Sequence, residues 1–557
     1  MKRNFPVSNP RATKTGFGCL VSSMAISREH IRKSVGRFLP ILLCLLVGYG
    51  SYWLTVRGFS GKNPVRIPSA SREIPEVSPT TSSVRNDTFK PVEDPRRASV
   101  RTAALNQQRA VTFKDQDAMR RMLSKLGHQV RLLGQIDGLN TLLLGYESAA
   151  DLDALLEGDE ELSMVFPIEI PSSPSISPQD GAVALNHSLL KWLGVETDNS
   201  LWGKGLVIAV LDTGIADHMV FNHPIQRINL VPLPSDLSLL NGHGTAVASL
   251  IFSNHPQAPG VAPAATPLSI RIADDSGFSN SFLIAQGIVA AVDAGAHMIN
   301  ISMGGSGNSS LVNQALAYAR QNGVVVIAAA GNTGENGVLQ PAAHPSVIAV
   351  GSVDAKNQPM RFSTSGTEVA ISAPGFGIDA AYPGDLAAKV SGTSFSTPIV
   401  TGVLAAVASS AERQTMSALQ AADFVLNHLT DVGMYGHDPH TGAGVPDLGT
   451  IMNAGIVGRN DVSVNSIYRT EKNQLQVVIQ NLGTETLINT GVSTSINGTN
   501  VQSNITTLAP MESRVVTIPI GESESYRISA SAQLSSGLID ARQANNSLTV
   551  EIDPNPE

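Results

Sequence analysis

Only two cysteines, Cys19 and Cys44, occur in the 557 residues, and both precede residue 58. Everything downstream lacks a thiol for a disulfide, a cysteine-ligated zinc or a cysteine nucleophile, so its chemistry rests on oxygen and nitrogen groups. Aromatic residues make up 5% of the chain and charged residues 15%, which leaves little for a base-stacking surface or a basic face. The formal net charge is -8, and it is unevenly spread. Residues 1–57 hold nine Lys or Arg against one Glu, so the remainder carries sixteen negative charges in excess. That balance excludes nucleic acid as a partner. Long apolar runs are also scarce. One stands out, from Phe38 to Val56, 19 residues without a charge behind Arg28, Arg32, Lys33 and Arg37.

Such a run is long enough to span a bilayer. The positive-inside rule then puts a basic tail, residues 1–37, in the cytoplasm and all that follows Arg57 on the other side, anchored in the membrane through residues 38–56. A removed signal peptide is the competing expectation, with small residues for cleavage at Gly48-Tyr49-Gly50, and it would make the product secreted or periplasmic. Residues 57–108 are rich in Pro, Ser, Arg and Glu without apolar periodicity and read as a solvated linker.

Order is expected from Arg109 onward. The strand-like Arg109-Ala-Val-Thr-Phe113 precedes a helix with Met119, Met122, Leu123 and Leu126 on one face and Gly127 as its stop. Strands follow around Val130–Leu133 and Thr141–Leu144, then a helix from Ser148 with Leu152, Leu155 and Leu156 inward, then a strand over Leu162–Phe166. Residues 109–170 thus predict a ferredoxin-like α+β unit, and the Ser- and Pro-rich stretch from Pro171 to Pro178 a cleavable junction. From 184 to 456 the apolar runs Leu206–Leu211, Met298–Ile301, Val324–Ala330, Val347–Val350 and Val369–Ile371 alternate with helical segments. They predict an α/β doubly wound parallel sheet with function at the carboxyl ends of its strands. Residues 461–553 change to short alternating segments with turns at Asn481-Leu-Gly483 and Asn497-Gly498, which predict an all-β immunoglobulin-like sandwich. The abrupt change after Ile456 also predicts a separately folding binding module.

Three short stretches carry the chemistry. Val-Leu-Asp212-Thr-Gly ends a strand, Asn-Gly-His243-Gly-Thr-Ala opens a helix, and Ser-Gly-Thr-Ser394-Phe-Ser-Thr-Pro precedes the helical run Pro398–Val407. Each alone is weak, because Asp-Thr-Gly and His-Gly-Thr also occur in ordinary turns and helix starts. In this order they supply a hydroxyl nucleophile, an imidazole to take its proton and a carboxylate to orient the imidazole.

These motifs resemble the subtilase family, the subtilisin-like serine peptidases, over about residues 184–456. The resemblance implies a serine endopeptidase in which Ser394 attacks, His243 is base and then acid, and Asp212 orients it. Asn332, in Ala329-Ala-Gly-Asn332, becomes an oxyanion donor beside the Ser394 backbone N–H. Ser302-Met303-Gly304-Gly305 and Asp275-Ser276-Gly277 are expected to sandwich an extended peptide, and Leu339 lies near the specificity pocket. The unit before the junction resembles an inhibitory propeptide, so the chain is expected as a zymogen with its own propeptide as inhibitor. The last unit resembles CARDB-type adhesion modules. No cofactor is expected for the chemistry and no metal ligand set is assigned; His437 and His440 read as a turn, and Asp274 with Asp275 leave structural calcium open. The alternative expectation is an adhesion protein that uses the protease fold as a scaffold. A base that must be neutral predicts activity falling below neutral pH, since a free imidazole titrates at about 6.5.

Overall fold

The computed structural model describes residues 103–171, 182–234, 241–410, 416–470, 472–521 and 525–552. The expected tail, membrane segment, most of the linker and most of the junction lie outside them. Among the described residues no helix is long and apolar enough to cross a membrane.

In the first unit the strands Gln108–Thr112, Val130–Ile136, Thr141–Tyr146 and Glu161–Met164 form one antiparallel sheet, with the first strand between the third and fourth. Alternation along these strands builds two apolar faces. Val111, Val130, Leu142 and Leu144 meet Met119 and Met122 of the helix Gln116–Lys125, whose N-terminus is capped by Asp115. Ala110, Ile136 and Leu143 face the other way and join the core of the next unit. There Gly134 rests on the Phe282 ring, where any Cβ would come within 2.6 Å of it. Gln286 Nε2 also donates to the Gln135 carbonyl at 2.9 Å.

The second unit is built on seven parallel strands. Across the sheet they run Val369–Pro374, Val347–Val353, Val325–Ala329, Met298–Ile301, Val207–Asp212, Thr266–Arg271 and Gln226–Asn229. The five apolar runs read from sequence all appear. The two further strands escaped that reading because Pro267 and Ser269 interrupt one and Gln226-Arg-Ile-Asn229 is polar, as an edge strand tolerates. Two helices lie on one face, Ser281–Asp293 and Ser310–Gln321. The other face carries His243–Phe252 and Thr393–Ala408, the latter buried along its entire length.

The third unit pairs a sheet of Val462–Arg469, Gln474–Asn481 and Ser513–Pro519 with a sheet of Thr499–Leu508, Leu487–Ile496, Tyr526–Gln533 and Ser547–Ile552. Every pairing is antiparallel, and Val477, Ile479, Val492 and Ile528 fill the space between the sheets. This sandwich is not a free appendage. Arg542 reaches Asp447 and Thr450 at the start of the second unit's last helix, at 2.6 and 2.7 Å, and also holds Asp461 at 3.0 Å. Gln480 bonds the Asp431 N–H and the Leu429 carbonyl, each at 3.0 Å, and Ser466 donates to the Gly433 carbonyl at 2.7 Å. Polar side chains that periodicity treats as the outer face of strands are therefore spent on the neighbouring unit.

Candidate active site

Asp212 ends its strand with no exposed surface, and its Oδ1 accepts the Thr213 N–H at 2.7 Å. His243 is the first residue of its helix, and Nδ1 stands 2.9 Å from both carboxylate oxygens of Asp212. Gly244 lets the helix start come this close, because a Cβ there would meet the Gly214 carbonyl at 2.4 Å. The imidazole packs against Phe395, the residue after Ser394, at 5.3 Å between ring centroids.

Ser394 lies inside its helix, which begins at Thr393, one turn earlier than the sequence pattern suggests. Pro398 is therefore an interior proline. It has no N–H to give the Ser394 carbonyl four residues back, and the Ser302 hydroxyl fills that vacancy at 2.7 Å. The Ser394 hydroxyl in turn donates to the Ser302 carbonyl at 2.9 Å. Behind this reciprocal pair, Asn300 donates to Ser302 Oγ and accepts from Thr401, each at 3.0 Å, so the buried hydroxyls are satisfied in series.

Asn332 caps the same helix. Its Oδ1 accepts both the Thr393 N–H and the Thr393 hydroxyl at 2.9 Å, which turns Nδ2 the opposite way. Gly392, at φ 140°, is required beside it, since a Cβ there would lie 2.8 Å from that Nδ2. Asn332 is thereby fixed at the N-terminal, positive end of the helix that bears Ser394.

The two segments expected to bind a peptide flank an extended piece of the chain itself. Pro167–Glu169 pairs antiparallel with Phe278–Asn280 on one side. On the other, Glu169 exchanges backbone bonds with Gly304 at 3.0 and 3.1 Å, while the Ile170 N–H goes to the Gly277 carbonyl at 3.1 Å. The strand expected over Leu162–Phe166 divides in two: Glu161–Met164 stays in the first unit's sheet and Pro167–Glu169 crosses to the second. This Glu169–Gly304 bridge lies two residues from Ser302, whose carbonyl accepts the Ser394 hydroxyl. Leu339 stands between Gly304 and Gly331, about where a Cβ on either would touch it.

Not every anticipated groove residue faces the groove. Gly304 and Gly277 make the strand contacts and Gly305 pairs with Gln340. Met303 is fully buried in the core, and the Ser276 N–H and hydroxyl both bond Asp274 within their own turn. The Asp275 carboxylate is taken by Arg271, at 2.9 Å, and by the Asn241 N–H, at 3.1 Å. Sequence reasoning missed Arg271, Asn241, Thr213 and Phe395. An arginine inside the apolar run Pro267–Ala273 was the one available signal. His437 and His440 flank Asp438, whose carboxylate closes that loop onto Thr441. His218 is buried and bonds the Leu386 carbonyl at 3.0 Å.

The subtilase family model matches residues 203–444, and a CARDB model matches 446–550. A thermostable alkaline protease of Halalkalibacterium halodurans is 36% identical over 43% of this chain and 67% of its own length. Thermitase of Thermoactinomyces vulgaris is 36% identical over 42% of this chain and 85% of its own. A solved structure of the protease domain of PatA is 33% identical, covers 46% of this chain and 97% of its own, and has a TM-score of 0.43.

The chain belongs to the subtilase family. It is a serine-type endopeptidase, a hydrolase of peptide bonds in protein substrates, joined to a C-terminal CARDB domain.

Proposed function

We propose that Asp212, His243 and Ser394 form the catalytic triad, with Asn332 Nδ2 and the Ser394 N–H as the oxyanion donors. The observation that carries this is the buried Asp212–His243 pair, two 2.9 Å contacts with the ring against the residue next to Ser394. Ser394 Oγ attacks the scissile carbonyl carbon as its proton passes to His243, and the carbonyl oxygen takes up the negative charge between the two donors. The C–N bond then breaks, and His243 returns the proton to the leaving amine. Water repeats the sequence on the acyl-enzyme ester, with His243 taking its proton. Asp212 holds the imidazole in position and stabilises its charged form.

Residues 109–170 act as an inhibitory propeptide. Their tail, Pro167–Glu169, lies between the segments expected to hold an extended substrate, and two residues further in the same register Pro171 would face Ser302 with no N–H to offer its carbonyl, which accepts from Ser394. A bound tail that cannot complete the ladder at the reacting position suits an inhibitor held in place. The basic flank and apolar run before residue 57 suit export of the enzyme, either anchored or with that segment removed.

Labelling with a fluorophosphonate tests the assignment. The wild-type chain should be modified at Ser394, and Ser394→Ala should neither label nor hydrolyse peptide while keeping residues 109–170 covalently attached. Near wild-type turnover by Ser394→Ala would remove the triad, and its normal maturation in a host without other proteases would remove self-processing. The N-terminus of the mature product, read by mass spectrometry, decides between anchor and signal.

A further inference from the structure

Arg271 is a fully buried guanidinium at the end of a strand, so its charge has to be met inside the protein. It gives Nε to the Pro232 carbonyl at 3.2 Å, Nη1 to the Thr213 carbonyl and to Asp275 Oδ1, and Nη2 to Asp275 Oδ2 at 2.9 Å. Two arms leave this pair. One runs through Thr213, whose N–H binds Asp212 and whose Oγ1 accepts the Gly244 N–H at 3.1 Å. The other runs through Asn241, which donates to the Asp275 carboxylate and carbonyl at 3.1 and 3.2 Å and accepts the His243 N–H on Oδ1 at 2.9 Å. The Asn241 carbonyl lies 3.1 Å from Thr213 Oγ1, and the two arms close into a ring.

We propose that Arg271 and Asp275 are a positioning pair, which ties the turn carrying His243 to the turn carrying Asp212 and balances the local charge there. The proposal rests on His243 and Asp212 acting as base and orienting carboxylate. It assigns Asp275 a role other than substrate contact, because both of its carboxylate oxygens are directed at Arg271 and Asn241. Further groups near the His243 turn are Tyr382, packed on Gly242, and Asp385 in the adjoining hairpin turn, which is held by the Met219 N–H. The helix bearing Ser394 presents only uncharged side chains there, Ser394 and Phe395.

The pair makes opposite demands on two variants. Asp275→Asn keeps an acceptor for Asn241 but leaves Arg271 without its counter-charge, and an uncompensated cation disfavours imidazolium. The acidic limb of kcat/KM should then move to lower pH by about half a unit. Arg271→Gln leaves the carboxylate uncompensated and should move the limb to higher pH by a similar amount. Asp275→Ala, which removes the bonds as well, should lower kcat about tenfold with KM within about twofold, because a displaced base slows chemistry without loosening the peptide. Asp275→Asn should recover most of that kcat.

The assay is hydrolysis of a small peptide substrate by the processed enzyme between about pH 5 and 9. Opposite shifts together with the kcat-only loss support the pair. A raised KM with unchanged kcat for Asp275→Ala, or limbs that stay still or move the same way, overturns it. If Arg271→Gln does not fold, the two Asp275 variants decide by themselves. Failure of the triad is distinguishable, since it appears as turnover by Ser394→Ala rather than as unmoved limbs in an enzyme that still depends on Ser394.

Discussion

Replacing Arg542 with alanine should destabilise the catalytic unit, although the residue lies in the sandwich. Three charge-assisted contacts are lost, to Asp447 at 2.6 Å, Thr450 at 2.7 Å and Asp461 at 3.0 Å. The two carboxylates are not abandoned completely. Asp461, fully buried, keeps Arg459 at 3.1 Å and Asn545 at 2.8 Å, and Asp447 keeps the Thr450 N–H at 2.8 Å. The loss therefore falls at the lower end of the range for breaking a buried pair, about 3 kcal/mol. At about 2–4 °C per kcal/mol for units of this size, the melting temperature should drop by roughly 6–12 °C. Arg542→Lys should fall between, since an ammonium cannot reproduce a planar fork that spans three acceptors. Calorimetry is best run in a Ser394→Ala background, where self-digestion cannot distort the transition. In parallel, the active Arg542→Ala enzyme should lose small-peptide turnover on heating at the same lowered temperature. Two separate transitions, with the catalytic one unmoved, would refute this reasoning and restore the sandwich as an independent module.

Asn332→Leu should reduce kcat by about 100- to 1000-fold with KM within about threefold, because the amide donor is needed only once negative charge develops on the carbonyl oxygen; a loss under tenfold would exclude it from the oxyanion site. Asp431, beneath the sandwich, is pushed up from 3.8 to about 6, mainly by burial and further by Asp438, against the hydrogen bonds from Gly436 and Ser513. A carboxyl with a raised folded-state pKa stabilises the fold as pH falls from about 6 towards 3.8, and that contribution is lost as pH rises through about 6. Asp431→Asn should accordingly be more stable than its parent above pH 6, by at most about 3 kcal/mol, and lose that advantage near pH 4. Denaturant midpoints across that range check it, and a difference independent of pH would contradict it.

Much of this protein was legible because its signals are local. A strand buried on both faces must be apolar throughout, so the five runs from Leu206 to Ile371 announced the sheet. Asp212 and His243 could be singled out because strand-end and helix-start motifs are short and contiguous, and the fold brings the two side chains to 2.9 Å. The Ser394 helix start was misplaced by one turn, because Pro398 read as a first-turn residue. Only the fold supplies the Ser302 hydroxyl, 92 positions away, that makes an interior proline tolerable there.

By itself, the sequence determined which residue types and periodicities exist: a thiol-free acidic body, an α+β unit, a parallel sheet, a sandwich, and Asp, His and Ser in chain order. Tertiary structure alone decided where polar groups find their partners. It set the Asp275 carboxylate on Arg271 rather than in the groove, sent Pro167–Glu169 between Gly304 and Phe278, and turned Gln480 and Arg542 onto the catalytic unit. The physical reason is that apolar burial is periodic and roughly additive along a strand or helix, whereas a buried charge or amide must be met by one particular atom. That atom can come from any distance along the chain.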